Sequence, residues 1–424
     1  MAIVLDIRED AIRRGIRTVG VGKKGSKSLS GPLAQEIAED LKAGKVTPAS
    51  AGAFFAGLFY KGMTPDEEVL DSAFETPGAL KDPRLLVQAL ADDAPAFVQD
   101  ICLRLLSGQT LDKNIAYRLG QFLLSDAPGD GARGLIASLL RVRYETDDEY
   151  EGLLTAINDT IVPAFHTPVP SGEPIIQMAE PFDGNDHSYM VTPLLGRYAQ
   201  GLGYRVVHLT GRNSGPKSVY NLLDVADALA APYMRGNGDL GDPKPEYGWF
   251  IRQKDLSPAV DRWVDIRRQT IKRPFLATLE KFLNPVAARI VVTSAFHPPY
   301  GEKMRTVSER AGFTGIVVVR NGMEGGLGFP LLRPAKILLS ARQKDGFYLR
   351  HEITFDAAQF LGVKVEVEEK MENLSAAENA RFIEHYARTG SSDNLFDLRV
   401  KATCEGLRRA VEWLENNMIG REPV

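Results

Sequence analysis

The sequence predicts an α/β protein whose sheet follows a helical amino-terminal domain. Three observations carry that expectation. Up to about residue 166, apolar residues recur at helical spacing and runs rich in Val and Ile are missing. A Pro/Gly/Ser linker, TPVPSG at 167–172, then marks a change of texture. Beyond it, short β-branched runs alternate with helical stretches, the pattern of a mixed sheet whose first strands are parallel and flanked by helices. The 424 residues suffice for two or three domains, and we divide them into a helical domain (1–166), the linker (167–172) and an α/β domain (173–424).

Within the helical domain, 33–41 and 97–106 show the clearest amphipathic spacing, and Gly44, Pro48, Gly62, Pro65, Pro77 and Gly108 mark the turns. LAQEIAEDLKAGKV (33–46) echoes FVQDICLRLLSGQT (97–110) at an offset of 64, and AGLFYKGMTPDEE (56–68) echoes SLLRVRYETDDEY (138–150) at 82. Two elements recurring in the same order indicate a duplicated unit, with 18 residues inserted between the halves. In the second domain the expected strands are 175–178, 205–209, 289–293, 315–319, 336–339, 348–354 and 363–368. A last helix, from 395 to about 417, places Leu398, Ala402, Leu407, Val411 and Leu414 on one face.

Composition narrows the class. Hydrophobic residues at 44% and charged residues at 25% suit a globular protein, and no apolar run is long enough to cross a bilayer. The start, MAIVLDIREDAIRR, lacks the apolar stretch of a secretory signal, and two distant cysteines, Cys102 and Cys404, suit a reducing compartment, so a cytoplasmic location is expected. The net charge of −4 is unevenly spread: Arg8 to Lys27 and Arg262 to Arg289 each carry +5, leaving −14 for the remainder.

The most specific stretch is 180–229. PFDGNDHS (181–188) follows the first expected strand, and TGRNSGPKS (210–218) follows the second. Both loops combine Gly with short polar side chains, and Arg212 and Lys217 add charge before helix N-termini that favour anions. At the carboxyl ends of strands this suggests a phosphate or carboxylate pocket. The same residues are also what ordinary turns use. His187, His208 and His297 stand near these loops without a catalytic spacing, and Trp249, Phe250 and Trp263 suit either base stacking or the core.

This order of helical domain, linker, strand, DG loop, helix, strand and Gly-Arg loop resembles the glycosyltransferase family 3 and class II nucleoside phosphorylase group, whose familiar members are anthranilate phosphoribosyltransferase and thymidine phosphorylase. Supporting stretches are AGKVTPASAGAFFAGLFYKGMTPDEEV (43–69) and DIRRQTIKRPFLATLEKFLNP (265–285). GVGKKGSKSLS (20–30), VTPLL (191–195), FHPPY (296–300) and NGMEGG (321–326) are most similar to the family's nucleic-acid-binding paralogue of anthranilate phosphoribosyltransferase. The likeness runs to about residue 340 and fits poorly over 76–132 and the tail.

The resemblance implies a helical domain plus a mostly parallel sheet of the phosphoribosyltransferase/nucleoside-phosphorylase type. Residues 256–285 would return to the helical domain, and a cleft between the domains would hold the ligand. Departures accompany it. Where the transferases place GTGGDG, this chain has EPFDGN (180–185), with Pro181 and Phe182 replacing glycines that let backbone approach phosphate. K-H-G-N-R becomes HLTGRN (208–213), and the paired Asp-Glu that binds magnesium falls on Leu327 and Gly328, leaving Glu324 as the metal candidate.

Carried over, the ligand-binding candidates are Asp183, Gly184, Asn185, His187, Ser188, Gly211, Arg212, Asn213, Ser214, Lys217 and Ser218, joined by Lys23, Lys24, Arg267 and Arg268 at the same cleft. The leading expectation is a divergent member that binds a phosphate- and ribose-bearing anion, nucleic acid first, with no certain cofactor. The alternatives are an active phosphoribosyltransferase using phosphoribosyl pyrophosphate, magnesium and a non-anthranilate acceptor, and an interaction protein whose extra helices meet a partner. Relatives' habits imply a homodimer.

Overall fold

The computed structural model describes residues 10–21, 25–182, 184–185, 188–213, 219–241, 243–363, 365–366 and 374–419. It forms two compact units, one of Met1–Ala156 with Arg262–Leu276 and one of Ile157–Asp261 with Ala277–Val424. The first is helical: α1 (Ala11–Val19), α2 (Gly31–Lys42), α3 (Pro48–Lys61), a 3₁₀ turn at Pro65–Ala73, α4 (Pro83–Ala91), α5 (Ala96–Leu106), α6 (Lys113–Leu124), α7 (Asp130–Arg143) and α8 (Asp147–Asn158). The starts follow from local chemistry. Asp10, Thr47, Asp82 and Asp112 accept backbone N–H groups of the first turns of α1, α3, α4 and α6, and prolines open α3 and α4.

α3 and α7 cross at close range through glycines. A Cβ on Gly52 would lie 2.1 Å from Gly131 O, and one on Gly134 would lie 2.0 Å from Ala49 O. Gly52 and Gly134 stand 82 residues apart, as do Ala49 and Gly131, so the contact is reciprocal. The same interval governs two buried carboxylates. Glu67 accepts hydrogen bonds from Leu29 N, Thr64 N and Lys61 Nζ, each at 2.8 Å. Glu149 accepts from Leu111 N at 2.9 Å, Thr146 N at 2.8 Å and Arg143 Nη2 at 2.6 Å. Every partner lies 82 residues beyond its counterpart.

A uniform interval sets α1, α2 and α3 beside α5, α6 and α7. It corrects the expected echo of 33–46 with 97–110, which aligned α2 with α5. Amphipathic helices ending at glycine look alike in sequence, whereas three hydrogen bonds to one carboxylate do not. The residues between the two corresponding segments, 74–92, contain α4.

The second unit is built on a seven-stranded sheet of order β3-β2-β1-β4-β5-β6-β7. Its elements run β1 (Ile175–Ala179), α9 (Thr192–Gly201), β2 (Arg205–Thr210), α10 (Leu222–Ala228), β3 (Trp249–Arg252), α11 (Gln253–Leu256), α12 (Pro258–Thr270), α13 (Leu276–Leu279), β4 (Ile290–Ala295), α14 (Pro298–Arg310), β5 (Gly315–Arg320), β6 (Ala335–Arg342), β7 (Tyr348–Phe355), α15 (Ala357–Leu361), α16 (Ala376–Thr389) and α17 (Asn394–Asn417). α12 continues into the helical unit. β1 to β5 are parallel, and β6 and β7 close the sheet antiparallel.

β1, β2 and β4 are buried along their whole length, as strands covered on both faces must be. Ile176, Met178, Val292, Val317 and Leu339 pack against Ala402, Leu407, Ala410 and Leu414 of α17, while Leu338 meets α14 on the opposite face. Most expected strands appear within a residue or two. β3 was not expected, and Val363, Val365 and Glu366 of the expected strand 363–368 are not in a strand, its other residues lying outside the described ones. The linker is tied to the sheet unit: Arg205 donates to Glu173 O at 3.0 Å and Pro170 O at 2.9 Å. No helix of the described residues is long and apolar enough to cross a membrane.

Candidate functional site

The parallel strands β1 and β2 end side by side, and the two polar loops leave from those ends. Gly184 adopts φ +91°, and a Cβ there would meet Asn213 Nδ2 at 2.7 Å, so the position requires glycine. Asn185 N donates to Tyr220 O at 2.9 Å, and the Asn185 amide brackets Ser188, donating to its carbonyl at 2.8 Å and accepting its N–H at 3.2 Å. Asn221 then joins the loops, its Nδ2 donating to Phe182 O at 3.1 Å and Gly211 O at 2.9 Å. Its Oδ1 accepts Leu223 N at 3.0 Å, capping α10.

Phe182 is 4% exposed, and a Cβ on Gly211 would lie 2.7 Å from its ring. The aromatic ring therefore sits on the second loop's glycine. Arg212 is held by Asp261, with Nε 3.1 and 3.0 Å from the two carboxylate oxygens and Nη2 2.8 Å from the backbone carbonyl. The guanidinium remains partly exposed, so it presents a cation already half neutralised.

Glu180, the residue after β1, is fully buried. Thr192 Oγ1 donates to its Oε1 at 3.0 Å and Leu327 N donates to the same oxygen at 3.1 Å, while its Oε2 has no hydrogen-bond partner among the described residues. Burial, only partly offset by those two donors, pushes its pKa up to about 8. The carboxyl thus links β1, α9 and the NGMEGG loop. That loop also touches the first one, since a Cβ on Gly325 would come within 2.4 Å of Gly184 O.

The structure thus gathers Gly184, Asn185, Ser188, Gly211, Arg212 and Asn213 at one end of the sheet, with the Glu324 loop against them. Arg267 and Arg268 belong to the helical unit. Arg267 is 2% exposed on the face of α12 that carries Val260, Trp263 and Val264, whereas Arg268 is half-exposed and 3.7 Å from Asp265. Lys23, Lys24, Asp183, His187, Ser214, Lys217 and Ser218 lie outside the described residues. Trp249, Phe250 and Trp263 are core residues, and Trp263 Nε1 donates to Leu123 O at 2.7 Å. His208 is buried, stacked 4.4 Å from Phe250 and 2.8 Å from Tyr247 O, and burial pushes its pKa down to about 4.

Sequence reasoning passed over Glu180, Asn221 and Asp261. Only Asn221 carried a local signal, the capping pattern Asn-x-x-Asp.

No family model matches the chain. An uncharacterized protein from Aquifex aeolicus (strain VF5) is 24% identical over 237 residues, covering 56% of this chain and 70% of that protein. Among solved structures, anthranilate phosphoribosyltransferase from Thermus thermophilus superposes with a TM-score of 0.57 at 20% identity, over 74% of this chain and 90% of that one. The Saccharomyces cerevisiae enzyme in complex with PRPP and Mg gives a TM-score of 0.55 at 13% identity, over 76% and 94% of the two chains. The chain therefore has the fold of the anthranilate phosphoribosyltransferases.

Proposed function

We propose that the chain binds a phosphate- and ribose-bearing anion at the carboxyl ends of β1 and β2, and that this ligand is single-stranded nucleic acid. The observation that carries the reading is the pair of polar loops, cross-tied by Asn221, at the place where open α/β sheets bind ligands. Loop ends tied together before binding lower the ordering cost of holding an anion. Lys217 adds a cation to the second loop through the sequence alone.

Two features weigh against sugar transfer. Phe182 packs on Gly211, where a pyrophosphate cradle needs bare backbone. Leu327 is buried in the apolar core, so in place of a carboxylate it offers magnesium no side-chain oxygen. Glu324 alone remains, and among the described residues no three His, Cys, Asp or Glu side chains cluster to hold a metal. Among the described residues, the side chains at these loops do not fit magnesium.

Fluorescence anisotropy with a labelled oligonucleotide tests the reading. Binding at about micromolar concentration is expected, weakening as salt rises. Arg212→Ala and Lys217→Ala are each expected to weaken it several-fold. Absence of binding at low salt overturns the proposal. Thermal stabilisation by phosphoribosyl pyrophosphate that requires magnesium and is lost in Lys217→Ala supports the transferase alternative, which the likeness to the PRPP-bound yeast enzyme keeps in play.

A further inference from the structure

The outer edge of the sheet carries its own pairing pattern. β7 is the last strand, and among the described residues nothing pairs with its free side. Most of its residues are exposed. The hairpin before it determines which backbone groups face outward. Gln343 N donates to Phe347 O at 2.8 Å, and Gly346, at φ +87°, donates to Gln343 O at 3.0 Å. Residues 343 and 347 are therefore a hydrogen-bonded pair.

Such pairs alternate with non-bonded ones along an antiparallel ladder. Leu349, His351, Ile353 and Phe355 thus bond inward to β6, whereas Tyr348, Arg350, Glu352 and Thr354 turn N–H and C=O to the free side. Arg342, opposite Tyr348, agrees: its N–H goes the other way, to Thr314 O at 2.9 Å.

We propose that β7 pairs antiparallel with β7 of a second copy of this chain across a two-fold axis at His351, joining two sheets into one. Outward groups meet outward groups only if the axis passes through a residue position. An axis at Arg350 sets that arginine opposite itself, and one at Glu352 opposes two carboxylates. At His351, Arg350 faces the partner's Glu352, and the pair occurs twice. Leu349 then faces the partner's Ile353, and Phe347 comes level with the partner's Phe355, which is itself buried. Phe347 is 75% exposed, more than any other large apolar side chain described.

Opposite charges across strands favour a register and like charges reject it, so the register about His351 satisfies backbone pairing and charge together. Existing networks support the pairs. Arg350 already donates to Glu309 at 2.8 Å, and Glu352 lies 3.5 Å from Arg320. His351 is held flat on Trp413, with ring centroids 5.0 Å apart.

Sedimentation of the full chain from about 1 to 100 µM tests the proposal. The wild type is expected to dimerise. R350E and E352R each create two like-charge pairs and are expected to raise the dimer Kd at least about tenfold. The double swap R350E/E352R restores opposite pairs and dimerisation. T354P removes an outward N–H and is expected to abolish dimerisation while leaving the melting temperature near that of the wild type. It keeps the test decisive if the charge variants fold poorly. A wild type that stays monomeric overturns the proposal. So does a dimer that survives T354P, or a double swap that fails to restore pairing in folded protein.

Discussion

The helical unit and the sheet unit each bury carboxylates completely, but they treat them in opposite ways. Glu67 and Glu149 are fully buried against a cation and two backbone N–H groups. Glu180 is equally buried, with a hydroxyl, one N–H and, among the described residues, no cation. Burial alone raises the pKa of Glu67, yet the bonds from Lys61, Leu29 and Thr64 together outweigh it and hold the carboxyl below its ordinary value. At Glu180 burial wins. The ionisation state is therefore set by the donors and cation that meet the carboxyl, not by depth.

The largest effect is expected from removing a clamp. Glu149→Ala strands the Arg143 guanidinium and two N–H groups, and a loss of about 3–5 kcal/mol is expected by denaturant unfolding. Glu67→Ala, which strands Lys61 in the equivalent place, should cost about as much. Unequal losses would show that the two copies have diverged in tightness.

pH sharpens the contrast. Because the Glu67 pKa is lowered on folding, its stabilisation is present above the unfolded value near 4.5 and is lost as pH falls through the folded one. Glu180 behaves in the reverse sense: its contribution is present below about 4.5 and is lost as pH rises through about 8. Stability measured between pH 5 and 8 should therefore fall less steeply in Glu180→Gln than in the wild type. An unchanged slope would mean that the carboxyl ionises freely.

The smallest stability change is expected at Arg268, whose ion pair with Asp265 is long and exposed. Arg268→Glu should shift stability by less than about 0.5 kcal/mol. If it nonetheless weakens oligonucleotide binding, the helical unit takes part in recognition.

Much of the fold is legible because β1, β2, β4 and β5 are β-branched, buried parallel strands separated by helices, and β6 and β7 are β-branched runs joined by a short turn. β3 is not legible, because WFIR is four residues long and follows a polar, Pro-rich stretch. At the site, glycines and amides announced the loops, but Glu180 looked like the first polar residue of a loop. Its role depends on Thr192 and on Leu327 N, 147 positions away. Arg267 shows the opposite failure. Its spacing from Val260, Trp263 and Val264 already put it on the apolar face of α12, yet its charge suggested a groove.

The reciprocal glycine crossing of α3 and α7 has a further consequence. A self-complementary surface normally joins separate polypeptides and comes apart on dilution. Here both sides belong to one chain, and the connecting segment holds them at an effective concentration of about millimolar or more. The two sides are also encoded separately, so each can mutate without forcing the same change on the other. This association survives any dilution and is free to lose its symmetry.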